Sequence, residues 1–245
     1  MTPDNPSRRS RRKEVLRELG LGPLWRARAP MGPSAAQDTI APAFPADAIA
    51  GRVAAIRSMD WSELEASVAA CTACGLCRSR THTVFGVGDR RADWLCVGEG
   101  PGAEEDARGE PFVGPSGRLL DNMLAAVGLM RGRGVYIANI VKCRPPGNRN
   151  PAPDEMEQCA PYLARQIELI QPRLIVTLGR IAAQNLLHTD ASIASLRGRL
   201  HRHAGIPVIV TYHPAYLLRT LADKAKVWED LCFARSTMQD LMPAG

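Results

Sequence analysis

Four cysteines fall in two unequal pairs: Cys71 and Cys74 in Cys-Thr-Ala-Cys, and Cys143 and Cys159 with fifteen residues between them. Two intervening residues let the first pair converge on one centre at a reverse turn, so thiolates gathered from both segments would hold a metal centre. The second spacing matches neither a zinc finger nor a ferredoxin run, and spacing alone does not choose zinc over iron and sulfur. Buried apolar thiols, or two structural disulfides, are the competing account. A second set of residues has types suited to gripping and cleaving a bound molecule: Gly98-Glu99-Gly100-Pro101-Gly102, Asn139, Gly179-Arg180 and His213-Pro214-Ala215-Tyr216. Each also has a plain structural role. The glycines permit a tight reversal or a backbone phosphate cradle but lack the dinucleotide fingerprint, Asn139 can cap a strand end, and a lone histidine is often only structural.

The elements that must position these residues are legible as alternating patterns. Trp94 to Val97, Val135 to Ile140, Leu174 to Leu178 and Val208 to Thr211 are apolar or β-branched runs of strand length, bounded by glycine, proline or charge. Between them, Gly117 to Val127, Asp154 to Ile170 and Arg180 to Leu187 carry helical spacing. The alternation predicts a three-layer α/β/α domain around a central, mainly parallel, four-stranded sheet. In such a sheet, ligands sit beyond the C-terminal ends of the strands, and the second set of residues falls at those ends. Trp61 to Ala70 reads as a helix with Ser58 or Asp60 as its cap, running directly into Cys71. No internal repeat is present.

At 245 residues the chain has room for one large α/β domain and a tail. The formal charge of +6 is concentrated in residues 1–28, where Arg8, Arg9, Arg11, Arg12, Lys13, Arg17, Arg26 and Arg28 face only Asp4, Glu14 and Glu18. Such an arm, partly helical or disordered, is drawn to a polyanion such as nucleic acid, or is merely solvated. The Ala/Pro-rich stretch 29–48 reads as a linker, leaving 49–245 as the folded domain. No run approaches a membrane span and the arginine-rich start lacks the apolar core of a secretory signal, so the expected location is cytoplasmic. The 7 cysteines, an odd number, also fit a reducing compartment.

Six motifs then occur in order: Cys-Thr-Ala-Cys (71–74), Arg-Thr-His-Thr-Val-Phe-Gly (80–86), Val-Gly-Glu-Gly-Pro-Gly-Ala-Glu-Glu-Asp (97–106), Pro-Phe-Val-Gly (111–114), Asn-Ile-Val-Lys-Cys-Arg-Pro-Pro (139–146) and His-Pro-Ala-Tyr-Leu-Leu-Arg (213–219). Together they resemble a family 4 uracil-DNA glycosylase, over roughly residues 62–235. Ordered motifs discriminate far better than any one alone.

The resemblance implies a [4Fe-4S] cluster on Cys71, Cys74, Cys143 and Cys159, with Cys77 the nearest rival to a first-pair ligand and Cys96 and Cys232 as core thiols. It implies a monofunctional enzyme that hydrolyses the bond joining uracil to deoxyribose in DNA and leaves an abasic site. The flipped base would meet Gly98, Gly100, Pro101, Gly102 and Glu105, stack on Phe112 and be read by Asn139. The Asn139 amide would accept from uracil N3–H and donate to O4, and Glu105 would stand where thymine carries its methyl. His213 would stabilise the leaving anion at O2, and Glu99 would orient water; related glycosylases have Asp where this chain has Gly100. Leu217 and Leu218 are expected to wedge into the DNA, while Arg144, Arg149 and Arg219 touch phosphates. The expected partner is single- or double-stranded DNA bearing uracil, bound by a monomer with no nucleotide cofactor and no membrane contact, the basic arm adding affinity. The alternative is an iron-sulfur or zinc module that binds uracil-containing or abasic DNA without turnover. Relatives that trap such DNA covalently carry a basic insertion with a histidine, of which Arg108-Gly109-Glu110-Pro111 shows no trace.

Overall fold

All four apolar runs become neighbouring parallel strands. A computed structural model describes residues 46–241, and the basic arm and nearly all of the linker lie outside them. The sheet contains β1 (Val87–Gly88), β2 (Trp94–Gly98), β3 (Val135–Asn139), β4 (Leu174–Leu178), β5 (His201–His203) and β6 (Ile206–Thr211), ordered β1-β3-β2-β4-β6-β5. Pairing is parallel for β2 with β3, β2 with β4 and β4 with β6. It is antiparallel at both margins, where β1 meets β3 and β5 meets β6. The expected four strands are therefore corrected to six in a mixed sheet. The two additions are edge pieces of two and three residues, too short to show the alternation by which a strand is read.

Nine α-helices lie among the described residues: α1 (Ala46–Ser58), α2 (Trp61–Ala69), α3 (Ala103–Arg108), α4 (Pro115–Ala126), α5 (Pro153–Ile170), α6 (Arg180–Leu187), α7 (Ile193–Leu196), α8 (Pro214–Leu217) and α9 (Lys224–Leu241). The first of them begins three residues inside the stretch read as linker. At α2 the Asp60 side chain accepts from Glu63 N and the Glu63 side chain accepts from Asp60 N, both at 2.9 Å. This reciprocal cap contributes about 1 kcal/mol and fixes where the helix delivers Cys71.

Strand residues alternate between two cores, which makes the layers. Trp94, Cys96, Val135, Ile137, Val176 and Ile209 face α4 and α9 through Leu120, Leu124, Val227 and Leu231. Leu95, Val97, Tyr136, Ala138, Ile175 and Val208 face α5 and α6 through Leu163, Ile167, Ala182 and Leu186. With both faces covered, every residue of β2, β3 and β4 is buried, which explains their continuous apolar sequences. A third cluster joins Ile56 of α1, Leu64 and Val68 of α2, Phe85 and Tyr162 against Cys71 and Cys159. Among the described residues no helix is long and apolar enough to cross a membrane.

Because β2, β3, β4 and β6 are parallel, Gly98, Asn139, Leu178 and Thr211 end on one margin of the sheet. The residues that follow them converge there.

Candidate active site

A cavity of about 420 Å³ opens at this margin, within the range of small-molecule sites. Glu99, Gly100, Pro101, Gly102, Glu105, Phe112, Asn139, Arg149, His213 and Arg219 all line it, joined by Ser116, Pro145, Asn148, Ala215 and Tyr216. Residues more than a hundred positions apart meet because the strand exits, and the loops and short helices that follow them, gather at one end of the sheet.

Asn139 closes β3 at only 2% exposure, and its Oδ1 has no hydrogen-bond partner in the protein. Leaving a buried carbonyl unpaired costs about 1–3 kcal/mol, a penalty that a donor on a ligand would remove. Gly98 explains how the amide fits: a Cβ there would come within 2.4 Å of Asn139 Oδ1 and 2.7 Å of Phe112 Cζ. Gly98 itself stands behind these side chains.

His213 is the cap residue of α8. Its Nδ1 accepts a hydrogen bond from Ala215 N at 3.1 Å, so Nδ1 is the bare nitrogen and the ring proton resides on Nε2. Burial pulls the imidazole down from 6.5 to about 4, the nearby Glu105 opposing and Arg219 assisting that shift. The ring is neutral at physiological pH and keeps one N–H to offer. Gly179, at φ 96°, admits it, since a Cβ there would lie 2.9 Å from His213 Cβ. Burial raises the Glu99 carboxyl above its ordinary range, with Arg180 opposing, which moves it toward the basicity useful for handling water.

Phe112 has φ 56°, a left-handed conformation that costs a bulky residue roughly 1–2 kcal/mol. Its loop is gripped from two sides. Glu105 accepts from Gly102 N at 3.1 Å, Val113 N at 3.1 Å and Gly114 N at 3.3 Å. Arg131 donates to the carbonyls of Pro111 at 2.9 Å and Phe112 at 2.8 Å, while its Nε donates to Asp121 Oδ1 at 2.9 Å.

The cysteines assemble as a separate group. Cys71, Cys74, Cys77, Cys143 and Cys159 line one pocket with Arg80 and Lys142. Arg80 Nη1 donates to Cys143 Sγ at 3.1 Å, and Lys142 N donates to Cys159 Sγ at 3.3 Å. Burial pushes the Cys159 thiol up to about 12 against the opposing charge of Lys142. Among the described residues no three His, Cys, Asp or Glu side chains meet closely enough to hold one ion; the five thiols surround a space instead. Thiolates with charged and amide donors directed at the sulfurs fit a group that several cysteines share. Cys96 belongs to the sheet core, its thiol pushed up to about 12 by burial.

Lys142 links the two sites. Its side chain is 1% exposed, and Nζ donates to Asn139 O at 3.0 Å and Gln166 Oε1 at 2.6 Å. Sequence reasoning does not single out Lys142 or Arg131. A lysine beyond a strand reads as solvated, and only the lysine's place beside both Asn139 and Cys143 hints otherwise.

The expected DNA contacts divide. Leu217 is 1% exposed in the core and cannot wedge, whereas Leu218 is 45% exposed; consecutive residues on a short helix point to different sides. Arg149 lines the cavity, but its guanidinium grips Glu155 at 2.6 and 2.8 Å. Arg144 donates to Asn148 Oδ1 at 2.7 Å and stands outside the cavity lining. Arg219 is exposed at the cavity rim.

The parallel strands at the centre of the mixed sheet, the polar residues at their exits and the flanking thiols define a class: the chain belongs to the uracil DNA glycosylase superfamily, whose family model it matches over residues 85–232. Within that class it is similar to proteins named type-4 uracil-DNA glycosylase. It is 46% identical over 159 residues to the one from Archaeoglobus fulgidus, covering 62% of this chain and 79% of that protein. It is 40% identical over 181 residues to the one from Pyrobaculum aerophilum, covering 71% and 92%, and 45% identical over 170 residues to the one from Thermotoga maritima, covering 68% and 88%.

Proposed function

We propose that this cavity hydrolyses the N-glycosidic bond of uracil in DNA, releasing free uracil and leaving an abasic site for repair, as the chain's superfamily and type-4 relatives support. The observation that carries the reading at atomic level is the unpaired Asn139 Oδ1 beside Phe112 and His213. That oxygen accepts from uracil N3–H while the amide nitrogen donates to O4. Cytosine offers the reverse pattern and leaves both groups unpaired, a mismatch worth up to about 10⁴-fold in discrimination.

A base inside a duplex is out of reach, so the nucleotide is turned out into the cavity, where Phe112 supplies a stacking face. Glu105 excludes thymine because three backbone N–H groups hold its carboxylate, and it has no freedom to swing away from a methyl group. As the bond lengthens, negative charge gathers on uracil O2 and positive charge on the sugar. His213 donates from Nε2 to O2, and Glu99 stabilises the cation and orients the water that attacks it. Arg219 meets the DNA from the rim with the exposed Leu218 beside it, Arg144 and Arg149 are further candidates for phosphate contact, and the basic arm adds nonspecific affinity.

Cys71, Cys74, Cys143 and Cys159 hold a [4Fe-4S] cluster, which ties the segment before β2 to the loop after β3. The Arg80 guanidinium and the Lys142 amide, directed at the Cys143 and Cys159 sulfurs, suit the thiolates of such a cluster. A module that binds uracil without turnover is the weaker reading, since a neutral histidine and a half-buried carboxylate would have no task there. Incubation with a uracil-containing oligonucleotide, followed by alkali, should give strand scission at the former uracil. Intact strands after treatment with cluster-loaded protein would defeat the proposal.

A further inference from the structure

We infer that Arg131 is a positioning residue for base excision, acting through Phe112; the inference rests on the reading of the cavity given above. Arg131 is absent from the cavity lining. It lies behind the loop, 20% exposed, and spends its fork on the two consecutive carbonyls of Pro111 and Phe112. Its remaining N–H groups meet Asp121 at 2.9 Å and Glu110 at 3.5 Å, so the guanidinium is itself held in place by the acidic side chains of α4 and the loop.

Carbonyls that point backward determine where the ring points. Phe112 sits at φ 56°, a conformation that persists only while its surroundings over-determine it. Glu105 holds the following two amides, and α4 abuts from below, where a Cβ at Gly117 would fall 1.7 Å from Phe112 O. Of these three restraints, Arg131 alone holds the carbonyl of Phe112 through a hydrogen bond. Without it, the peptide is free to relax toward negative φ, carrying the ring out of register with Asn139 and His213. Lysine cannot replace the arginine, because a single ammonium on a flexible stem does not present a planar fork to two carbonyls and a carboxylate together.

A double-mutant cycle separates this role from general support of the fold. Single-turnover excision rates would be measured for the wild type, Arg131→Met, Phe112→Ala and the double variant, with binding of abasic-site DNA as a second readout. Arg131→Met should slow excision about 10- to 100-fold in the wild-type background, the scale of a misplaced reacting group, and by less than about threefold once Phe112 is Ala. Abasic DNA has no base to stack, so its affinity should stay within about twofold. Arg131→Lys should fall between the wild type and Arg131→Met, and it carries the same cycle if the methionine variant does not fold. Equal losses from Arg131→Met in both backgrounds, with Phe112→Ala itself slow, would overturn the inference alone. A fully active Phe112→Ala would overturn the stacking reading and the inference together.

Discussion

The Phe112 ring lies over the His213 imidazole, with centroids 5.5 Å apart and planes 28° from parallel. The proposed base platform and the proposed O2 donor are thus one packed unit, although the loop between α3 and α4 carries the first and the exit of β6 the second. Contact between them fixes the imidazole plane, and the Ala215 N–H fixes which nitrogen is bare. Little reorganisation is left for the moment when charge develops.

His213→Ala should therefore lower the single-turnover rate by about 10²- to 10³-fold, the usual effect of losing one preorganised donor. Its contact strengthens only as the base becomes an anion, so affinity for a non-cleavable uracil analogue in DNA should change by less than about threefold. Equal losses in rate and affinity would assign His213 to binding instead.

The same residue predicts a pH dependence. Unfolded histidine binds its proton near 6.5, whereas the buried ring does so only near 4. Between those values the unfolded chain holds more protons, so stability falls as the pH drops from about 6.5 to about 4 and levels off below. Urea midpoints should follow this course, and His213→Gln should flatten it. The excision rate should show no inflection near 6.5.

Gly98→Ala tests the packing behind the base. The new methyl would collide with Asn139 Oδ1 and the Phe112 ring, so kcat/KM on uracil-containing DNA should fall at least about tenfold by displacing groups that must lie within a fraction of an ångström. The atoms nearest the methyl belong to side chains, so the far larger loss should be in activity, with the melting temperature down by only a few degrees.

Where the chemistry residues would lie was readable because strand exits are local features: an apolar run followed by Gly98-Glu99, or by Tyr212-His213, is visible without any partner. The edge strands were not, since two residues at Val87 and three at His201 carry no period. Arg131 was invisible for another reason. Its ligands are carbonyls 19 and 20 residues upstream, and every residue has a carbonyl, so nothing in their side-chain types marks the contact. The burial of Leu217 beside an exposed Leu218 likewise depends on how a four-residue helix is docked, which two identical residues cannot announce.

The cysteine assignment separates by substitution. Cys71→Ala or Cys143→Ala should remove most iron and sulfide from protein purified without oxygen and abolish its visible absorption, while Cys77→Ala retains both. Retention of the full complement by Cys143→Ala would transfer the ligand role to Cys77, which lines the same pocket.

The bond from Ala215 N to His213 Nδ1 has a chemical consequence for what the enzyme can release. A backbone amide never yields its proton, so the imidazole has no second nitrogen through which to draw a replacement, and it cannot operate as a relay. With His213 in its proposed role, uracil departs as its N1 anion and is protonated in solvent. Leaving-group acidity becomes a selection rule alongside shape: a 5-fluoro substituent, which stabilises the anion, should speed release, and a base with a less acidic N1 should stay attached even when it fits.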